Sequence, residues 1–269
     1  MLRNATRNRK EPLVKNSTIL LAKAVRDSGA CSRRDAKALI DKGQVKVNGT
    51  VIYSPCFKVK ATDIVLLNDK RITLAPPPLK LWAYHKSIGL ITTHKDPQMR
   101  RTVFETLPKD FPKVISIGRL DLQSSGLLLL TTSGDFSRFM ELPKNQFERV
   151  YNVRVFGKLN LEALKRLEQG CVIDGITYGK VIIKPLRSSK NNHWLQVTLR
   201  EGKNREVRKL LAHINLNVTK LMRIQYGPFH LNNLVAGEVR QETIPRDLYE
   251  NYLRHSQGKD DPLNKGEQL

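Results

Sequence analysis

Acidic residues are few: 25 Asp and Glu face 47 Lys and Arg, a formal charge of +22 over 269 residues. Such a balance argues for a polyanionic partner, nucleic acid first and an anionic membrane surface second, over a merely basic soluble protein. Cysteine is scarcer still. Cys31, Cys56 and Cys171 are scattered with no C-x-x-C pair, which speaks against a disulfide framework or a zinc site and suits a reducing compartment. The six histidines show no metal-ligand spacing, so no metal is expected. No apolar run is long enough to span a bilayer, and no secretory core follows the start. General DNA binding finds no helix-turn-helix or finger signature. The opening MLRNATRNRK is arginine-rich and acid-free, as an organellar transit segment would be, but Glu11 follows at once and no amphipathic helix is visible. A disordered basic arm over residues 1–16 of a cytoplasmic protein is the expectation.

What the chain does contain falls into two regions. Residues 17–75 form a small unit of helices and hairpins. Ser17 is placed to cap a helix carrying Ile19, Leu20, Leu21, Ala24 and Val25, stopped at Asp27-Ser28-Gly29. Ser32 with Asp35 reads as the capping box of a second helix, through Ala36 and Ile40 to Gly43. In QVKVNGTVIY two strands meet at Asn48-Gly49, the dipeptide that a tight hairpin favours. Asp63 to Ile72 gives a second hairpin. The prolines after Ala75 make residues 76–79 a stiff linker. Over 80–252, strands are expected at 79–85, 127–131, 151–156, 181–186, 194–199 and 218–224, with helices at 161–169 and 205–213. Residues 194–199 alternate cleanly, Leu195, Val197 and Leu199 against Trp194, Gln196 and Thr198. A polar, disordered tail is expected over 253–269.

The cations of the first region are ordered. Arg33 and Lys37 share a helix face at i,i+4 with Arg34 beside them, and Lys42 and Lys46 carry the positive surface into a strand. Such a surface suits phosphate contacts that position a nucleic acid without reading its bases. A solvated charged face explains the same spacing equally well. Residues 18–72 resemble the S-four RNA-binding domain, whose S-R-R-x-A and G-x-V-x-V-N-G runs stand here as Ser32 to Ala36 and Gly43 to Gly49. The resemblance implies an α/β domain that binds structured RNA, with Arg33, Arg34, Lys37, Lys42 and Lys46 on its RNA side.

One acid of the second region stands out. In SIGRLDLQSSGLLLLTTSG, Ser116 to Gly134, Asp121 sits between Leu120 and Leu122 at the mouth of four leucines. A carboxylate shielded there is costly unless a cation keeps it ionised. Capping a turn, pairing with an arginine and acting on a substrate all fit, and an Asp in a loop is more often a cap. Gly118 permits an unusual backbone or a close approach, and Arg119 supplies a neighbouring cation. No histidine lies nearby for a Ser-His-Asp relay.

The run Gly118-Arg119-Leu120-Asp121, with Ser124, Gly126 and Leu127 to Thr131, resembles the central motif of RNA pseudouridine synthases, in particular the RsuA family and its RluB-like, large-subunit branch. Thr131-Thr132-Ser133-Gly134 replaces the family's T-N-D-G in an expected turn. Two further motifs agree in order: ERVYNVRV, Glu148 to Val155, matches K-x-Y-x-V with Arg149 for lysine, and EGKNREVRK, Glu201 to Lys209, matches E-G-x-N-R-x-V-R-R.

The resemblance implies an α+β protein: a small S-four-like α/β domain, then a catalytic domain on a mixed, mainly antiparallel sheet with flanking helices. It implies an enzyme that isomerises uridine to pseudouridine in ribosomal RNA, with large-subunit (23S) RNA or a pre-ribosomal particle favoured as partner, and that needs no cofactor. No membrane partner and no dimer seam are expected. Asp121 becomes the catalytic carboxylate, either attacking the sugar's anomeric carbon or assisting glycosidic cleavage, Tyr151 the ring that stacks on the displaced base, and Arg208 the cation paired with Asp121. Arg119 is assigned to the gap left by the flipped uridine. Lys203, Arg205 and the loop His94 to Arg101 are assigned to phosphates, and Leu221 to the pocket under the base. By pattern alone Tyr151 and Leu221 also suit the core, and that loop a solvated basic turn. The rival reading is a non-catalytic RNA-binding or ribosome-assembly protein on the same scaffold. An acid facing a polyanion disfavours it, because only reaction chemistry offsets the repulsion.

Overall fold

The computed structural model describes residues 18–29, 31, 33–74 and 77–257, and the chain divides into two compact units, 1–77 and 78–269. The expected arm over 1–16, the caps Ser17 and Ser32, and Ala75 and Pro76 at the linker lie outside the described residues, as does 258–269.

In the first unit β1 (Thr18–Leu20), α1 (Leu21–Asp27), α2 (Arg33–Asp41), β2 (Val45–Val47), β3 (Thr50–Val51), β4 (Lys58–Lys60), β5 (Val65–Leu67) and β6 (Lys70–Ile72) follow in order. Ile19 and Leu20, expected inside the first helix, belong to a strand instead. β1 pairs with β4, and Leu21 N donates to Phe57 O at 2.7 Å, so the helix opens on a neighbouring backbone and has no side-chain cap. Leu21, Ala24 and Val25 of α1 and Ala36 and Ile40 of α2 meet Val45, Val47, Val59 and Val65 in one core. Their i,i+3 and i,i+4 spacings put each apolar set on one stripe. The sheet runs β3-β2-β5-β6. Its two hairpin turns, Asn48-Gly49 (φ 50° and 86°) and Asn68-Asp69 (φ 48° and 62°), take the left-handed conformation at both central residues, which matches the twist of the flanking strands.

In the second unit β7 (Leu81–Lys86), β8 (Ile115–Ile117), β9 (Ser125–Thr131), α3 (Gly134–Glu141), β10 (Arg149–Phe156), α4 (Leu161–Glu168), β11 (Cys171–Ile173), β12 (Ile176–Tyr178), β13 (Ile182–Ser189), β14 (Asn192–Leu199), α5 (Glu206–His213), β15 (Asn217–Tyr226), β16 (Phe229–His230), β17 (Val239–Glu242) and α6 (Arg246–Gln257) follow. The main sheet runs β13-β14-β10-β15-β9-β7-β17, with β8 added to β9 and β16 to β15. Its pairings are antiparallel except that of β9 with β15. The fold is α+β on a mixed, mainly antiparallel sheet, as expected.

The four leucines are buried on both faces of β9. Leu127 and Leu129 join Phe136, Phe139 and Tyr226, while Leu128 and Leu130 join Trp82, Tyr84 and Leu120. Gly126 lets β9 close on β15: at φ 101°, a Cβ there would stand 2.2 Å from Arg223 O. Leu195, Val197 and Leu199 of β14 pack against Leu164 and Leu167 of α4 and Leu210 and Leu211 of α5. Asn160 caps α4, its oxygen accepting from Glu162 N (3.0 Å) and Ala163 N (3.1 Å).

Two helices depart from expectation. The expected turn at 131–134 opens α3, because Ser133 Oγ accepts from Phe136 N at 3.2 Å and Phe136, Phe139 and Met140 then bury. The tail expected from residue 253 is helical to 257. Leu248 is buried and Tyr252 packs edge-on against Phe136, ring centroids 5.2 Å apart. A few large rings thus hold a helix of mostly polar composition.

Candidate active site

The loop between β8 and β9 presents Asp121. Gly118 takes φ 67° with open space where a Cβ would stand, so its role is conformational freedom and not close packing. From Leu120 onward five successive carbonyls are held. Leu120 O accepts from Thr92 Oγ1 at 3.1 Å, and Leu122 O accepts from Gly89 N at 2.9 Å. Asp121 O accepts from Lys86 Nζ (3.1 Å) and Ser124 N (3.0 Å), Gln123 O from Arg208 Nη2 (3.0 Å), and Ser124 O from Lys86 Nζ (2.8 Å). Lys86 completes its three bonds on Ser87 O at 3.0 Å and is fully buried. Burial pushes its pKa down to about 8, against the attraction of Asp121. Buried carbonyls require donors, and this set fixes the backbone behind the acid.

Asp121 stands where two cavities meet. One, of about 380 Å³, is lined by Arg149, Tyr151, Glu201, Lys203, Leu221 and Arg223 among others. The second, of about 450 Å³, is lined by Thr93, Lys95, Asp96, Arg100 and Asn204 among others. Arg119, Leu120, Asp121 and Arg205 line both. The Asp121 side chain is 35% exposed, which corrects the expectation of an acid shielded from water. Among the described residues its carboxylate accepts no backbone hydrogen bond that would make it a turn cap.

The cation at ion-pair distance is also not the one expected. Arg205 Nη1 lies 3.9 Å from Asp121 Oδ2. Arg208 instead donates to Val218 O (3.1 Å) and Gln123 O (3.0 Å), because two strand-end carbonyls claim its guanidinium first. Burial lowers the Arg208 pKa, repulsion from Arg205 adds to this, and Asp121 opposes it. Arg208 therefore positions the loop, while Arg205, with φ 52° just before α5, faces the acid.

The remaining expected residues are divided. Tyr151 is half-buried on β10, packs against two cores and lines the first of these cavities, and Leu221 likewise is both core and lining. Arg119 is exposed where the cavities join. The Lys203 ammonium is already paired with Glu201. In the loop from His94 to Arg101, Arg100 forks onto Asp96 with Nε–Oδ2 and Nη2–Oδ1 both 2.9 Å. His94 stacks on Phe104 at 3.6 Å, and desolvation lowers its pKa against a Val114 backbone bond. Lys95 and Arg101 are exposed and form no ion pair with any described residue. In the first unit Arg33 and Arg34 open α2, their side chains lying outside the described residues. Lys37 and Lys42 are exposed. Lys46 is paired with Asp69 across the hairpin at 2.7 Å.

Several site residues escaped the sequence reading. Lys86 is one. Arg149, 5% exposed, donates to Phe147 O, Arg200 O, Glu141 O and Tyr226 Oη. Arg223 donates Nε to Leu127 O at 2.8 Å, and its buried Nη2 has no hydrogen-bond partner. The two guanidinium carbons lie 4.7 and 5.1 Å from the centroid of the Tyr226 ring. Glu206 opens α5 buried. Its Oε2 accepts from Lys203 N at 2.8 Å, and its pKa is pushed up to about 7, by burial first and then by Glu201. For Lys86 the signal was a charge closing a mostly apolar strand, whereas Arg223 shares its strand with Lys220 and several polar residues and gave no such signal. Together the groups can hold a planar ring against Tyr151 and a phosphate against Arg119, with Asp121 free to reach an electrophilic carbon.

A family model for RNA pseudouridylate synthase matches residues 80–213, and one for the S4 domain matches residues 20–73. An uncharacterized RNA pseudouridine synthase of Rickettsia felis (strain ATCC VR-1525 / URRWXCal2) is 49% identical over 221 residues, 82% of this chain and 95% of the relative. A ribosomal large subunit pseudouridine synthase B of Yersinia pestis is 34% identical over 240 residues, 87% of this chain and 74% of the relative. A crystal structure of a pseudouridylate synthase shares the fold, with a TM-score of 0.60 at 23% identity over 84% of this chain and 96% of that one.

Proposed function

Because this chain belongs to the RNA pseudouridine synthases, in the RsuA family with its amino-terminal S-four domain, we propose that it isomerises a uridine of large-subunit ribosomal RNA. The large-subunit target is supported by relatives named ribosomal large subunit pseudouridine synthase B, 34% and 35% identical. The observation that carries the chemistry is Asp121, an uncapped carboxylate on a loop with five fastened carbonyls, at the join of two cavities.

The target nucleotide leaves its stack and enters the cavity lined by Tyr151 and Leu221, which receive the uracil. Asp121 acts at the anomeric carbon. The bond from C1′ to N1 breaks, the base turns, and C5 bonds to C1′ and releases its proton while N1 regains one. Atoms balance without a co-substrate. Arg205 faces the carboxylate at 3.9 Å, and Lys86 and Arg208 hold its backbone in place. Arg119 occupies the space the base has left. The reaction belongs in the cytoplasm, on ribosomal RNA or a pre-ribosomal particle, with the enzyme acting as a monomer.

The test is a pseudouridine map of ribosomal RNA in a strain lacking this chain, complemented with wild type or Asp121→Asn. One large-subunit position should lose its modification and regain it with the wild type alone, while the purified Asp121→Asn protein still binds the RNA. Restoration by Asp121→Asn removes the acid from the chemistry. A loss confined to small-subunit RNA removes the large-subunit assignment.

A further inference from the structure

The sheet face turned away from the cleft carries a second ordered set of cations. On β10, β13, β14 and β15 the positions alternating with the buried ones point to this face. Register places Arg187 beside Trp194, Trp194 beside Arg154, and Arg154 beside Lys220. That is one row across four neighbouring strands, spanning about 14 Å at the usual strand spacing. The adjacent row holds Lys184, Gln196, Asn152 and Met222. None of the four strands contains an Asp or Glu. Lys184, Arg187 and Lys220 are exposed and form no ion pair with any described residue. Arg154 is half-buried, and its side chain donates to Asn192 Oδ1 at 3.2 Å. Neighbouring like charges on a sheet are destabilising, and a face that only needs to be soluble intersperses the two signs. Here no ion pair among the described residues relieves the repulsion on Lys184, Arg187 and Lys220, and a partly exposed indole sits between two arginines.

We infer that this face is a second RNA-binding platform, seating an unpaired segment of the substrate RNA with its phosphates on Lys184, Arg187, Arg154 and Lys220 and a base stacked on Trp194. Cations tracking a backbone beside an aromatic ring is the arrangement that single-stranded RNA requires. None of these residues lines either cavity, so the platform supplies affinity and placement and not chemistry. The inference rests on the proposed RNA-modifying function, and the experiment separates the two.

The full chain and a Lys184→Gln, Arg187→Gln, Lys220→Gln variant are titrated with naked ribosomal RNA across a salt series, with circular dichroism and melting to confirm folding. The slope of log affinity against log salt should fall by about 2, near 0.7 per lost phosphate contact on a single strand. Trp194→Ala should weaken binding about 5- to 100-fold, and Trp194→Phe should restore most of it. An unchanged slope in the folded triple variant overturns the platform. So does a defect seen only on ribosomal particles and not on naked RNA, which would assign the face to a protein. Wild-type turnover on a short uridine-containing stem-loop judges the functional reading by itself, since its absence refutes that reading whatever the slope does.

Discussion

Lys86 and Asp121 are joined through the backbone and not through their charges. The lysine spends its three donors on Ser87, Asp121 and Ser124 carbonyls, so the acid's own main chain rests on it. Lys86→Met is expected to take the donor from the Ser87 and Ser124 carbonyls, while Asp121 O keeps Ser124 N, and to cost about 1–3 kcal/mol of stability. In single-turnover assays its chemical step should slow more than RNA affinity falls. Lys86→Arg should not rescue it, because a planar fork does not match three converging oxygens. The motif singled out Asp121, which stands at the join of the two cavities, but the cation nearest to it was not legible. Spacing placed both Arg205 and Arg208 at the start of one helix. It could not show that Val218 and Gln123 carbonyls would claim the second of them, leaving the first, at 3.9 Å, for the carboxylate.

Among the elements, α5 carries a pH dependence at its entrance. Glu206 has its native pKa near 7 against an ordinary 4.5, so between those values the native state binds more protons than the unfolded one. Stability from this group is therefore full below about pH 4.5, falls as pH rises towards 7, and is flat above. The facing charges are Glu201 and Lys203. Glu206→Gln stays neutral throughout, so its melting temperature should gain on the wild type between pH 5 and pH 7.5. An equal gap at both values would show that Glu206 does not titrate in this window. Element legibility followed the range of the contacts. The hairpins at Asn48-Gly49 and Asn68-Asp69 are local and readable, and so is the alternation in β14. β1 is three residues whose strand nature depends on β4, far along the chain, and no local pattern records that. α3 was readable in principle, with Phe136, Phe139 and Met140 on one stripe, once Ser133 is taken as a cap and not as part of a turn.

Over the whole molecule the dominant quantity is the charge of +22. Composition alone foretold a polyanionic partner, and the ordered motifs narrowed it to RNA, yet no pattern distinguished cations that are free from those already engaged. Lys46, Lys203 and Arg100 are engaged by Asp69, Glu201 and Asp96, whereas Lys37 and Lys42 remain exposed. Replacing both by Gln should lower the salt slope of RNA binding by about 1.4–1.8, and Lys46→Gln should change it much less. Filter-binding at four or five salt concentrations decides this. The wall shared by the two cavities has a pharmacological consequence as well. Arg119, Leu120, Asp121 and Arg205 belong to both chambers, so a compound lodged in either one abuts the Asp121 carboxylate. An inhibitor screen need not choose between them, and two ligands that fill different chambers should still exclude one another.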